Sequence, residues 1–151
     1  MRAILLLFAI AAIAACATTS QAQPRSGVDA CLAAATPETR RDCIGAESGP
    51  CIEEPFGSTT GGMVQCVMRE KESWEAQVRL LTLRLRARET PTQLAQLDAM
   101  LAAYGPWLQA RCGYAGSIYE GGSLSRVVAA LCIRDTTAQL AIDLLERFDD
   151  L

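Results

Sequence analysis

Cys112 and Cys132 flank a connection rich in glycine and tyrosine, inside the stretch YGPWLQARCGYAGSIYEGGSLSRVVAALC from Tyr104 to Cys132. A helical pattern ends at Cys112, the connection carries Tyr114, Tyr119 and Gly121-Gly122-Ser123, and a second helical pattern soon presents Cys132. The sequence therefore predicts two helices that meet here and are joined by a disulfide. Such a bond closes a loop of about 20 residues and restricts the unfolded chain, worth roughly 3 kcal/mol on the chain-entropy argument. Because Cys112 is read as a helix end and Cys132 lies turns into the next helix, the connection from Gly113 to Ser123 is expected to fold back along the second helix.

The other cysteines bear on compartment. Met1-Arg2 is a short positive start, and Ala3 to Ala15 is an apolar run too short to span a bilayer. Residues 1–15 are accordingly read as a signal peptide, residues 16–27 as a flexible leader and residues 28–151 as one helical domain. Two cleavage readings compete. Ile13-Ala14-Ala15-Cys16 has the form of a bacterial lipobox, which would lipidate Cys16 and anchor the protein to a membrane of the cell envelope; Ser20-Gln21-Ala22 suits an ordinary signal peptidase and a soluble periplasmic or secreted product. Either route removes Cys16 from the count and leaves Cys31, Cys43, Cys51, Cys66, Cys112 and Cys132, an even set suited to an oxidising compartment. Proximity favours Cys31–Cys43 and Cys51–Cys66, although four cysteines allow more than one connectivity.

Along the chain the punctuation is helical. Thr36-Pro37 and Thr90-Pro91 are helix starts, each an N-cap followed by a first-turn proline. The run from Gly49 to Gly62, with two prolines and four glycines, reads as loop. Met63, Val67, Trp74, Val78, Leu81 and Leu85 then recur at helical spacing, so a long helix is expected from near Gly62 to Glu89, with Glu75 and Arg79 as an i,i+4 pair. Leu94, Leu97, Leu101, Tyr104 and Leu108 stripe the next helix, which Pro106 should kink near Tyr104-Gly105. A last helix capped by Ser123 or Ser125 carries Val127, Leu131, Ala138, Ile142, Leu145 and Phe148. No alternating segment of strand length occurs, so the expected fold is all-α: a small disulfide-stabilised bundle with antiparallel long helices.

Several chemistries are disfavoured. The chain has no histidine, which removes the commonest general base and the usual zinc ligand, and the cysteine spacings do not form two close pairs. No metal, cofactor or catalytic residue is assigned, and the protein is read as a non-enzyme. Glu53-Glu54 is placed in a solvated loop and Glu70/Glu72 on an exposed helix face. Without Arg2 the chain carries 13 Lys and Arg against 17 Asp and Glu, a balance of −4. With no basic stripe, nucleic acid is not a partner, whereas a basic protein is compatible. Trp74 falls on the core stripe. Tyr114 and Tyr119, beside the expected disulfide, are either anchors for a partner or packing over the bridge; packing is the reading preferred.

The series CVMREKESWEAQVRLL, WLQARCGYAGSIYEGGS and AALC followed by TTAQLAIDLL resembles the lysozyme-inhibitor LprI-like N-terminal domain family of small cysteine-containing bacterial envelope proteins. The resemblance covers about Cys43 to Leu145 and is most specific at Arg111-Cys112, Tyr114, Gly121-Gly122-Ser123 and Cys132. It departs where members usually show Asp, Leu-Asn and Tyr after the tryptophan, since this chain has Glu75, Val78-Arg79 and Thr82, and at Leu108, where an arginine is usual. The resemblance implies an envelope binding protein that blocks lysozyme or another cell-wall hydrolase; the connection from Gly113 to Ser123 is the surface expected to do so, with Tyr114, Tyr119 and the acidic Glu120 as candidate contacts. The alternative is a structural or assembly factor that holds another envelope protein through a helix face.

Overall fold

The computed structural model describes residues 26–151; the signal peptide, the lipobox with Cys16 and the leader up to Arg25 lie outside the described residues. The chain folds as α1 (Gly27–Ala34), a 3₁₀ segment (Pro37–Cys43), α2 (Ser48–Glu53), α3 (Thr60–Arg86), α4 (Pro91–Ser117) and α5 (Ser123–Asp149), with no strand among the described residues. The fold is all-α. Side chains define the helix starts: Ser26 accepts from the Asp29 N–H in a capping box, Thr59 accepts from the Gly62 N–H at 3.0 Å, and Thr90 and Gln93 cap each other ahead of Pro91.

α5 is the central element, packed along both α3 and α4. The α3 stripe is buried at Val67, Trp74, Leu81 and Leu85, and it meets Ala138, Leu140, Ile142 and Leu144 of α5. Each fully buried aliphatic chain of this size contributes roughly 1.5–3 kcal/mol. Around Trp74 the core is completed by Val28 of α1 and Cys43, while Leu97, Leu101 and Tyr104 of α4 lie against the Leu81–Leu144 cluster. The disulfides are Cys31–Cys43, Cys51–Cys66 and Cys112–Cys132, with Cα separations of 5.6, 5.7 and 5.4 Å. Cys31–Cys43 and Cys51–Cys66 are the pairs favoured by proximity, and Cys112–Cys132 is the bond expected between the last two long helices.

Several local expectations are corrected. The Gly49–Gly62 run holds α2 and the first turn of α3, because Pro50 sits in the first turn of α2, where its missing N–H costs nothing. α4 does not stop at Cys112 but continues through Tyr114 to Ser117. Gly116 allows this: a Cβ there would lie 3.0 Å from the Ser125 carbonyl oxygen and 3.2 Å from Ala129 Cβ, so hydrogen alone lets α4 and α5 approach so closely. The disulfide therefore staples two packed helices, and no loop has to fold back. At Pro106, where a kink and not a stop was expected, α4 is unbroken; Ala102, whose carbonyl loses a partner there, is exposed and open to water. Glu75 pairs with Lys71 at 2.7 Å and not with Arg79. Gly122, not a serine, is the α5 N-cap.

Candidate functional site

Glu70 stands on α3 between Val67 and Trp74 and is fully buried, contrary to the exposed position expected for it. One carboxylate oxygen accepts from the Gly45 N–H at 2.7 Å and from Trp74 Nε1 at 3.0 Å. The other accepts from the Ser48 N–H at 2.7 Å, Ser48 Oγ at 2.6 Å and the Glu47 N–H at 3.3 Å. The segment between the 3₁₀ turn and α2 wraps round this side chain, and Gly45 makes the wrap with φ of 103°, a conformation side chains disfavour. Arg134 of α5 completes the hub, with Nε 3.9 Å from Glu70 and Nη1 donating to Ser48 Oγ at 2.6 Å.

Burial pushes the Glu70 carboxyl up, but the hydrogen bonds from Ser48, Gly45 and Trp74 outweigh it and hold the group below the ordinary glutamate range. A serine hydroxyl between a carboxylate and an arginine has the parts of an activated nucleophile. Ser48 and Glu70 are both sealed from solvent, however, so the cluster binds α2, α3 and α5 together and offers no substrate a place.

Accessible groups of the expected kind gather at the opposite feature, the corner between α4 and α5. Tyr114 is 75% exposed, Ile118 68%, Leu124 50% and Tyr119 43%. The two tyrosines thus project, and the reading of them as packing over the disulfide is corrected; in the bridge Cys112 is buried and Cys132 half-buried. Tyr114 lies on the last turns of α4, Tyr119 in the turn and Glu120 at its apex. Glu120 has φ of 49°, the left-handed region, which costs a side-chain-bearing residue about 1–2 kcal/mol. Turn hydrogen bonds fix the corner: the Tyr119 N–H donates to Gly116 at 3.1 Å, the Glu120 N–H to Ser117 at 3.0 Å and the Gly122 N–H to Tyr119 at 3.0 Å. Ile118 and Leu124 were not singled out from the sequence, yet both are large apolar residues beside a glycine pair, a pattern that marks an exposed turn.

Glu53 and Glu54 are both exposed as expected, but Glu53 ends α2 and Glu54 is its C-cap, so they do not sit in a loop as expected. Trp107 is half exposed, with the Arg111 guanidinium 5.4 Å above its ring.

Fold and corner together define a small disulfide-stapled helical module that exposes four large apolar side chains around one helix–helix turn. Residues 51–144 match the family described as lysozyme inhibitor LprI, well over half of the chain, and the protein belongs to that family. The match begins at Cys51, so α1 and the Cys31–Cys43 bridge precede it, as do Gly45, Glu47 and Ser48 of the Glu70 cradle. Neither the curated proteins nor the solved structures provide a match to this chain. No helix among the described residues is long and apolar enough to cross a membrane.

Proposed function

We propose that this protein is a non-enzymatic envelope protein that inhibits a lysozyme-type cell-wall hydrolase by seating the α4–α5 corner in the enzyme's cleft. The observation that carries this reading is the corner itself. Four large apolar side chains stand exposed around a single carboxylate, at a turn that the Cys112–Cys132 bond and its own hydrogen bonds hold still. A convex, rigid, partly aromatic tip fits a concave site at little cost in ordering, which is what makes a few residues dominate an interface. Glu120, pointed outward from a strained backbone, supplies the charge that a basic cleft would select.

Inhibition of lysis in a turbidity assay, with purified protein in its oxidised form, tests this. Tyr119→Ala and Glu120→Gln are each expected to weaken inhibition by about tenfold or more, equivalent to roughly 1.4–2 kcal/mol. Both residues are exposed, so thermal stability should stay at the parent value. Absence of inhibition by the parent at large molar excess would sink the reading.

Membrane attachment through Cys16 belongs to the same proposal. It is supported by the Ile13-Ala14-Ala15-Cys16 sequence. Cys16→Ala is expected to move the protein from the membrane fraction to the soluble one, or to block its processing; cleavage after Ala22 with unchanged fractionation would instead identify a soluble product.

A further inference from the structure

α4 is the least buried of the three long helices: it rests on α5, and only Leu108, Cys112 and Gly116 are buried along its length. A helix so open to water ordinarily carries charge on its outer faces. α4 carries two charged residues, Asp98 and Arg111, against eight in α3 and seven in α5, although all three helices are 27 residues long. Asp98 is turned to α3, where it pairs with Arg86. The outer face is left with Arg111 and a run of uncharged side chains, and depletion of charge around exposed aromatic residues is the composition of a protein interface.

That face is ordered. Met100, Trp107 and Tyr114 recur every seven residues, and Ala103, Ala110 and Ser117 each follow three residues later. These spacings put all six along one stripe of the helix. All six are exposed, the three large side chains by 42, 50 and 75%. Large and small residues thus alternate along a seam roughly 26 Å long.

The alternation selects the occupant. A second copy of α4, running antiparallel about a two-fold axis midway between Trp107 and Ala110, sets Trp107 against Ala110, Tyr114 against Ala103 and Met100 against Ser117, and each contact occurs twice. Every bulky side chain then lies over a small one, as close helix packing requires. Parallel pairing would instead crowd Trp107 on Trp107 and leave alanine facing alanine. The scarcity of charge removes most of the like-charge repulsion that opposes the meeting of identical surfaces. Aromatic side chains bury about 150–250 Å² each, so two of them with Met100 and the small residues suit a weak, reversible interface of about 600 Å² per partner.

We propose that the protein self-associates as a two-fold dimer through this seam of α4. The proposal stands apart from inhibition of a hydrolase: it commits Tyr114 to the second copy and leaves Tyr119, Glu120 and Leu124, which follow Ser117, at the two ends of the pair.

Sedimentation equilibrium of the oxidised protein over about 1–300 µM tests the seam. A mass that rises toward twice the monomer's with concentration supports it. Ala110→Glu and Trp107→Lys should each weaken association about tenfold or more, and Ala110→Glu, at an exposed position, should leave the melting temperature of the dilute protein unchanged. Mixing the two variants should restore association, because the antiparallel register sets the two introduced charges, of opposite sign, against each other. Association of Ala110→Glu at the parent's strength, or loss in both variants without recovery on mixing, would overturn the proposal. A monomer across the whole range would overturn it too, and would assign the seam to a different protein partner.

Discussion

Glu70→Ala is expected to lower the unfolding free energy by about 3–5 kcal/mol in a reversible denaturant titration with the disulfides intact. The substitution leaves the Gly45 and Ser48 N–H groups, the Trp74 indole N–H and the Arg134 guanidinium facing a cavity, and each buried donor without an acceptor is unfavourable by about 1–3 kcal/mol. Glu70→Gln keeps the shape but presents an amide NH₂ to donors, so a smaller loss of about 2–3 kcal/mol follows. The charge gives the effect a pH signature. Because the folded carboxyl is held below the unfolded value near 4.5, its stabilisation is fully present above that pH and disappears as pH falls through the lowered folded value. The difference between parent and Glu70→Gln should therefore be constant at neutral pH and shrink below about pH 4.5. A loss under about 1 kcal/mol for Glu70→Ala would mean that water reaches the cradle.

Trp74→Ala should destabilise by about 3–5 kcal/mol in the same titration, since the ring is fully buried against Val28, Cys43, Ala138 and Ile142. Two contributions can be separated. Trp74→Phe keeps most of the apolar contact and removes the 3.0 Å bond to Glu70, a loss of about 1.5–3 kcal/mol for a bond to a charged acceptor. In the double variant with Glu70→Gln the losses should fall short of additivity by about 0.5–3 kcal/mol, because both changes break one network. Full additivity would show that the indole serves packing alone.

What the sequence disclosed was chiefly periodicity. The stripes of α3, α4 and α5 and the three cysteine pairs were legible because burial follows helical spacing and because short loops bring neighbouring cysteines together. Glu70 was misread through its residue type, although it occupies the core register between Val67 and Trp74; a carboxylate at a stripe position is itself the signal of a buried polar hub. The end of α4 was misread because Gly113 and Gly116 suggest a break, whereas Gly116 is helical and serves close packing with α5. Glu75, Val78, Arg79 and Thr82 on α3 and Leu108 on α4, the departures read from the resemblance, could not be related to one another from the sequence; in the fold they line two hollows between α3 and α4. The exposed corner was half legible: its tyrosines and Glu120 could be named, but projection depends on how α4 and α5 pack, which spacing does not encode.

Each disulfide joins a cysteine to the next one along the chain, at separations of 12, 15 and 20 residues. A polypeptide delivered N-terminus first into an oxidising compartment presents every thiol to its native partner before any later thiol arrives. Oxidation in order of appearance thus yields the native set directly, and a mispaired bond that would require an isomerase to reshuffle is not a necessary intermediate. The connectivity also leaves the three covalent loops unlinked to one another, so that while Cys51–Cys66 ties α2 to α3, the joining of α1 and the 3₁₀ segment to the long helices rests on the non-covalent core around Trp74 and on the bonds that converge on Glu70.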